Sequence, residues 1–409
     1  MPTSMRHYIS NVSALGVFAF SILIAVPLLS GFPVLNAEES GQDFIDEAKW
    51  VYRTLACGEG EIPAGVDTKA RDEHCRQIEK KAETYKKNFL DHFIQFMGKV
   101  RPRRLPSVVV YPFGGSDLYT ALAAYPASAE IITISLESAG DPRRLPKAGP
   151  DAKMKAMGEF RKVLLGYFAC PDNSNDMVRA LERGLVPGQL SLSLAAAAYF
   201  GLEPVSLKYF RIEPDGKLHY YTLPDIASME NTKGKKLQHY WIDTDFSIAF
   251  RSMEIIYKRR GMGTGARTVV HRHVSANLSD GNFKDSPLAK FLETKGKFAS
   301  LTKGASYLLW RKDFSVIRKY LLSNMVFMVS DCTGILPHHA REAGFEQVTY
   351  GTFHAAFLDN KGGADAEEFR KFFGSQPLRP IPFRFGYADI LGANHLIITQ
   401  PASASKKIK

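Results

Sequence analysis

Between residues 41 and 100 the apolar positions recur at helical spacing. Phe44, Ala48, Val51, Tyr52 and Leu55 share one face, and after a Gly/Pro-rich break Ile78, Tyr85, Phe89, Phe93 and Phe96 continue the period. This predicts a helical segment over residues 38–104. At Val108–Tyr111 the pattern changes to a short β-branched run, which suits a strand buried on both faces. Pro112-Phe113-Gly114-Gly115-Ser116 then reads as a turn, with Asp117 placed to cap a helix over Leu118–Tyr125. Pro126 ends that helix, and Glu130–Ser135 reads as the next strand. The unit closes in about 30 residues, as a βαβ unit should.

Residues 138–203 read as mostly helical: Met154–Phe168 is amphipathic, Met177–Arg183 follows a helix-start cluster, and an alanine-rich helix runs from Pro187-Gly188 to Phe200. Pro214-Asp215-Gly216 between Val205–Ile212 and Lys217–Leu223 predicts a hairpin. A second hairpin is expected from Met253–Lys258 and Thr268–Ser275, joined by the basic loop RRGMGTGAR. A helix near Leu288–Lys295 follows. The α/β alternation then returns with a strand at Ala305–Trp310, a helix at Asp313–Leu322 and a strand at Met325–Val329. A short helix at Pro337–Glu342 and strands at Gln347–Tyr350 and His395–Thr399 complete it. The expected fold is an α/β domain over residues 105–400. It has an open, parallel or mixed sheet, helices on both faces in a three-layer, Rossmann-like arrangement, inserted hairpins and the helical N-terminal segment. Asp117 to Glu137 and Asp313 to Asp331 echo each other in spacing, which fits either two related halves or the generic rhythm of βαβ units.

The ends of the chain are different in kind. Arg6 precedes an apolar run from Leu15 to Leu35 that is interrupted by Pro27, Gly31 and Pro33. This has the build of a signal peptide, with a cut after Ala37, and an uncleaved membrane anchor is the alternative. The tail after Pro401 is rich in Ser and Lys and reads as disordered. The protein is therefore expected to be exported, to the periplasm or the cell envelope. Its formal net charge of +11 is spread over dispersed pairs such as Lys80-Lys81, Arg103-Arg104 and Lys235-Lys236. That suits a solvated surface or attraction to an anionic envelope component, lipid or polysaccharide, and no nucleic-acid partner is expected. Of the four cysteines, Cys57 and Cys75 flank a Gly/Pro-rich loop of about 19 residues and are expected to pair in an oxidising compartment. No metal is expected there, because His74 is the sole further ligand nearby. Cys170 and Cys332 read as buried thiols.

Candidate chemistry gathers where strands should end. Gly114, Gly115 and Ser116 could cradle a polar or anionic ligand at a helix start, while Asp117 could act there or simply cap. Glu137 and Asp331 each follow an apolar strand, where open α/β sheets carry functional acids. Asp331 with His338 could supply a general base, which makes Asp331, Asp117 and His338 the catalytic candidates. Tyr350, His354, Tyr387 and Asp389 follow strand-like runs with glycines and are placed on the rim of the same site. His271 and His273 alternate onto one strand face. They read as exposed hairpin residues, and zinc would need a third ligand from elsewhere. The expected function is binding of a small polar or anionic ligand at the strand C-termini, with hydrolysis in view. A non-enzymatic envelope protein is the alternative.

Two resemblances add to this. YPFGGSDLYTALAAYP, GASYLLWRKDFSVIRKYLL, VSDCTGILPH, VTYGTF and IPFRFGYAD together resemble an uncharacterised family of exported bacterial proteins with no established activity. Where those proteins read Asp-Asp-Ser-Gly-Ile-Pro, this chain has Ser330-Asp331-Cys332-Thr333-Gly334-Ile335-Leu336-Pro337, so one acid of the pair is replaced. Tyr111-Pro112-Phe113-Gly114-Gly115-Ser116-Asp117, with Glu137, also resembles the first motif of methyltransferases that bind S-adenosylmethionine. That likeness implies glycines against the cofactor and a strand-end acid on its ribose. Tyr111 and Asp117 stand where the motif has Asp and Gly.

Overall fold

The computed structural model describes residues 41–169, 181, 184–230, 247–261, 267–305, 309–354, 363–386 and 394–402. The expected signal segment with its cut after Ala37, the helix at Met177–Arg183 apart from Leu181, Cys170, Tyr387 and Asp389 lie outside these residues. The organising element is a ten-stranded mixed sheet. Its strands are β1 (Val108–Pro112), β2 (Glu130–Ser135), β3 (Leu202–Ile212), β4 (Leu218–Tyr220), β5 (Met253–Arg259), β6 (Thr268–Ser275), β7 (Phe298–Thr302), β8 (Met325–Ser330), β9 (Phe345–Thr352) and β10 (Asn394–Pro401). They lie in the order β4-β3-β5-β6-β2-β1-β7-β8-β10-β9. The five central strands, β6-β2-β1-β7-β8, are parallel, and antiparallel strands extend the sheet on both sides.

Alternation along the central strands fills two cores. Val109, Tyr111 and Ile131 point to one face, and Val110, Ile132 and Ile134 to the other. The first face is covered by α1 (Ile45–Thr54), α2 (Thr68–Tyr85), α3 (Asp91–Val100), α4 (Leu118–Ala124), α5 (Pro150–Ala169) and α6 (Gly188–Tyr199). A short helix, α7 (Leu223–Met229), adds Ile226 to the same core. The second face carries α8 (Asp280–Phe283), α9 (Pro287–Glu293), α10 (Ser315–Asn324) and α11 (Pro337–Glu342). A smaller apolar cluster joins α12 (Gly363–Gly374) to β10 through Phe369 and Ile397. The result is the three-layer α/β arrangement expected from the sequence.

The N-terminal helices are tied down by specific bonds. Asp43 accepts from the Ser206 hydroxyl at 2.6 Å and the Leu207 amide at 3.0 Å, and the Phe44 amide donates to Leu207 O at 2.8 Å. They cover the stretch of β3 that β4 leaves unpaired, where the register shifts between Pro204 and Ser206. The Cys57–Cys75 disulfide joins the end of α1 to α2, with the fully buried His74 beside it. Cys332 is a buried free thiol, as expected.

Two expectations are corrected. The strand expected at Ala305–Trp310 is instead β7 at Phe298–Thr302, and residues 309–310 form a turn. The echo between Asp117–Glu137 and Asp313–Asp331 loses its first strand with it. His271 and His273 are buried rather than exposed, because β6 pairs with β2 as well as with β5 and so lies inside the sheet.

Candidate functional site

The turn after β1 is held in an uncommon conformation. Phe113 (φ 59°) and Gly115 (φ 48°) both lie in the left-handed region, and a Cβ on Gly114 would come within 2.4 Å of the Tyr111 ring. For a bulky residue such as Phe113 this is strain of about 1–3 kcal/mol, of a kind that persists where the surroundings enforce it. The chain then enters α4 through Asp117, which accepts from the Thr120 amide at 3.1 Å.

Asp117 does more than cap. Its carboxylate also accepts from Tyr111 OH at 2.9 Å and Tyr167 OH at 2.6 Å, and it pairs with Lys303 Nζ at 2.9 Å. Both partners of the ion pair are essentially solvent-free, with side chains 2% and 1% exposed. Lys303 Nζ donates again to Thr120 Oγ1 at 2.8 Å and lies near the rings of Phe89 and Tyr167. Burial and the Asp117 charge push the Tyr167 hydroxyl well above the usual tyrosine range. Lys303 follows β7 directly. The crevice between β1 and β7 is the topological switch point of the sheet, where open α/β folds take ligands. Here it is filled by this buried network.

Asp331, just past β8, is likewise engaged. It accepts from the amides of Gly304 and Thr333, each at 2.8 Å, and from the Thr333 hydroxyl. Burial raises its pKa, while these bonds and the nearby Lys303 charge pull it back. Gly386 packs so closely that a Cβ there would stand 2.8 Å from Asp331 Cβ. Asp331 thus fastens the ends of β7 and β8 together.

The remaining candidates divide between two places. Glu137, 5% exposed, lines a pocket over the C-terminal ends of β1, β2 and β6 with Phe113, Ser135, Asn277, Leu278 and Phe314. Phe113 and Phe314 meet edge to face at 5.3 Å. Its cavity volume is about 20 Å³, room for little more than one water molecule. Behind it, His273 Nε2 is hydrogen-bonded to Glu137 O at 2.8 Å, and Thr133 Oγ1 is hydrogen-bonded to His271 and His273. Burial holds His271 down at about 3 and His273 at about 4, so both are neutral imidazoles in the folded protein. By contrast, His338, Tyr350 and His354 belong to the far edge of the sheet. His338 Nδ1 is 2.7 Å from Glu368 Oε2, which joins α11 to α12. Tyr350 on β9 packs against Phe96 at 4.9 Å, and His354 is exposed. Strands β7, β8 and β10 separate them from β1.

Gly114, Gly115, Ser116, Asp117 and Glu137 therefore flank one turn, but Asp117 faces the first core and Glu137 the pocket beside the second. Lys303, Phe113, Asn277 and Phe314 were not among the sequence candidates. Phe113, inside a Gly-Gly turn, carried the one signal that could have drawn attention. Among the described residues, one group of three metal-type ligands lies together, Cys57, His74 and Cys75, and its two sulfurs are bonded to each other. No described helix is long and apolar enough to cross a membrane. The fold and site define an open, doubly wound α/β protein with a pocket beside a sealed switch point. No protein-family model, curated protein or solved structure matches the chain.

Proposed function

We propose that this protein binds a small polar ligand over the C-terminal ends of β1, β2 and β6, with Phe113 and Phe314 as walls and Glu137 and Asn277 as polar contacts. The observation that carries this reading is Phe113. It is a large residue held in the left-handed region beside a buried acid, at the edge where open α/β sheets take ligands. Anything larger than water requires Phe113 or Phe314 to swing aside, so binding is coupled to a rotamer change. Hydrolysis with Asp331 as base gains no support, since both its oxygens already accept from neighbouring N–H and O–H groups. The apolar N-terminal run and the disulfide support an exported protein.

A second reading is favoured by the strand order. The sequence β6-β2-β1-β7-β8 is the doubly wound order 3-2-1-4-5. This order, with β10 antiparallel beside β8 and β9 outside it, supports the likeness to S-adenosylmethionine-dependent methyltransferases as an analogy at the level of fold. Glu137 at the end of β2 stands where such folds hold a ribose. The ligand would then be a nucleoside. Isothermal titration and thermal unfolding with adenosine, S-adenosylmethionine and a panel of polar metabolites test both readings. Saturable stabilisation is expected in the wild type and not in Glu137→Gln, whose melting temperature should stay close to wild type. An equal response in both proteins, or none across the panel, would sink the proposal.

A further inference from the structure

A wider groove opens on the second face of the sheet, where the ends of β3 and β6 meet the start of β5, under α8 and α9. Its cavity volume is about 440 Å³. Phe210, Ile248 and Leu288 supply apolar wall, and Tyr221, Arg251 and Asn277 supply polar groups. No carboxylate lines it among the described residues.

Several other sheltered cations in this protein have acceptors: Lys303 has Asp117, Arg272 has Glu130 and Glu254, and Arg143 has Asp141 at 2.8 Å. Arg318 lacks an acid but donates to the carbonyls of Leu309 at 2.6 Å and Arg311 at 3.1 Å. Arg251 is half-buried, yet its guanidinium makes no ion pair or hydrogen bond among the described residues. Burial presses its pKa downward without a carboxylate to offset it, although a guanidinium stays charged in water. An unmatched sheltered charge is destabilising, so its presence asks for an acceptor from outside. Asn277 offers a second donor. Its side-chain oxygen accepts from the Ser279 amide at 2.9 Å, which leaves its NH2 turned elsewhere and unbonded among the described residues.

We propose that this groove binds the anionic group, phosphate or carboxylate, of a small organic molecule, with Arg251 as the charged fork and the Asn277 amide as a second donor. A guanidinium presents paired N–H groups that match two oxygens of either anion. The groove shares Ala276 and Asn277 with the Glu137 pocket, so one molecule can occupy both. The inference does not need the pocket reading: Glu137→Gln tests the pocket and Arg251→Gln the groove.

The test is thermal unfolding and titration calorimetry with sodium phosphate, phenyl phosphate and benzoate, each against sodium chloride at matched ionic strength. The proteins are the wild type, Arg251→Gln, Arg251→Lys, Glu137→Gln and the surface control Lys81→Gln. Saturable binding of at least one anion is expected in the wild type. Affinity should fall at least tenfold in Arg251→Gln, fall less in Arg251→Lys, and be unchanged in Lys81→Gln. Glu137→Gln should retain binding of inorganic phosphate or benzoate. The more effective anion assigns the class. Without ligand, Arg251→Gln should melt at or above the wild-type temperature, because it removes an unmatched charge. The proposal is overturned if no anion exceeds chloride, if Lys81→Gln loses as much as Arg251→Gln, or if Arg251→Gln lowers the melting temperature as a structural arginine would.

Discussion

Lys303→Met should be among the most damaging single substitutions in this protein, and the loss should be recovered in part by changing Asp117 as well. The Asp117–Lys303 contact is 2.9 Å and nearly solvent-free. With an effective dielectric constant of about 20 its Coulomb attraction is about 6 kcal/mol, most of it offset by the desolvation of the two charges. Removing lysine alone leaves a buried carboxylate held by two tyrosine hydroxyls and one amide, which destabilises by about 3–5 kcal/mol. Asp117→Asn alone strands the ammonium and should lose a similar amount. The double variant has no buried charge and keeps most of the shape, so it should lose about 1–3 kcal/mol, well short of the sum. Urea unfolding at pH 7, followed by intrinsic fluorescence, measures all four corners of the cycle. Single losses below about 1 kcal/mol, or strict additivity, would refute this account of the switch point and reopen Asp117 as a functional acid.

Other outcomes follow from the same structure. Gly114→Ala forces a Cβ within 2.4 Å of the Tyr111 ring, whose hydroxyl is anchored on Asp117, and should cost about 1–3 kcal/mol in a denaturant titration. Reducing Cys57–Cys75, or replacing both with serine, should remove about 3 kcal/mol for a separation of 18 residues, visible as a dithiothreitol-sensitive melting temperature. His74 (about 4), His271 (about 3), His273 (about 4) and His395 (about 3) are held below the ordinary imidazole value by burial. Their contribution is complete above about pH 6.5 and is lost as pH falls towards 4, because the unfolded chain binds the protons. The slope should reach up to about 5 kcal/mol per pH unit near pH 5.5, less whatever the raised Asp331 returns. An uptake of less than one proton on unfolding there would contradict it. Asp331→Asn should lose about 1–3 kcal/mol, since an NH2 must replace an acceptor facing either Gly304 or Thr333, yet leave any pocket ligand bound. Loss of binding with unchanged stability would instead return Asp331 to the site.

The features legible in the sequence are local ones. The β1 turn, the Asp-Gly hairpin, the Pro-led α11 and the Cys57–Cys75 pair each depend on residues close in the chain. The strand β7 was missed because Phe-Ala-Ser-Leu-Thr has little β-branched character, while Ala305–Trp310 is more apolar. It is a strand because β1 and β8 flank it, which its own pattern does not encode. His271 and His273 were misplaced for the same reason: a hairpin strand looks half-exposed until β2 is found on its other side. At the site, Glu137 was legible as a strand-end acid. Lys303 was not, because its partner stands at the other end of a central crossover. Arg251 precedes its strand and has no motif around it; its character lies in the acceptor it lacks among the described residues.

Charge placement distinguishes the two halves of this edge of the sheet. In an open α/β sheet the switch point supplies a crevice because the connections leave β1 in opposite directions. Here that crevice contains Tyr111, Asp117, Tyr167 and Lys303 bonded to one another, and Asp331 closes the next pair of strand ends. A site built there would have to open an ion pair buried on all sides, which is unfavourable for each charge separately. The neighbouring half, over β2 and β6, differs in kind. Its acid sits beside the rings of Phe113 and Phe314, and its adjoining groove holds a cation with no acid partner among the described residues. The satisfied half fastens the strand ends, and the unsatisfied half is where the proposed ligand would bind. Strain in the Phe113 turn links them, since that one turn places Asp117 on the sealed side and its own ring on the open one.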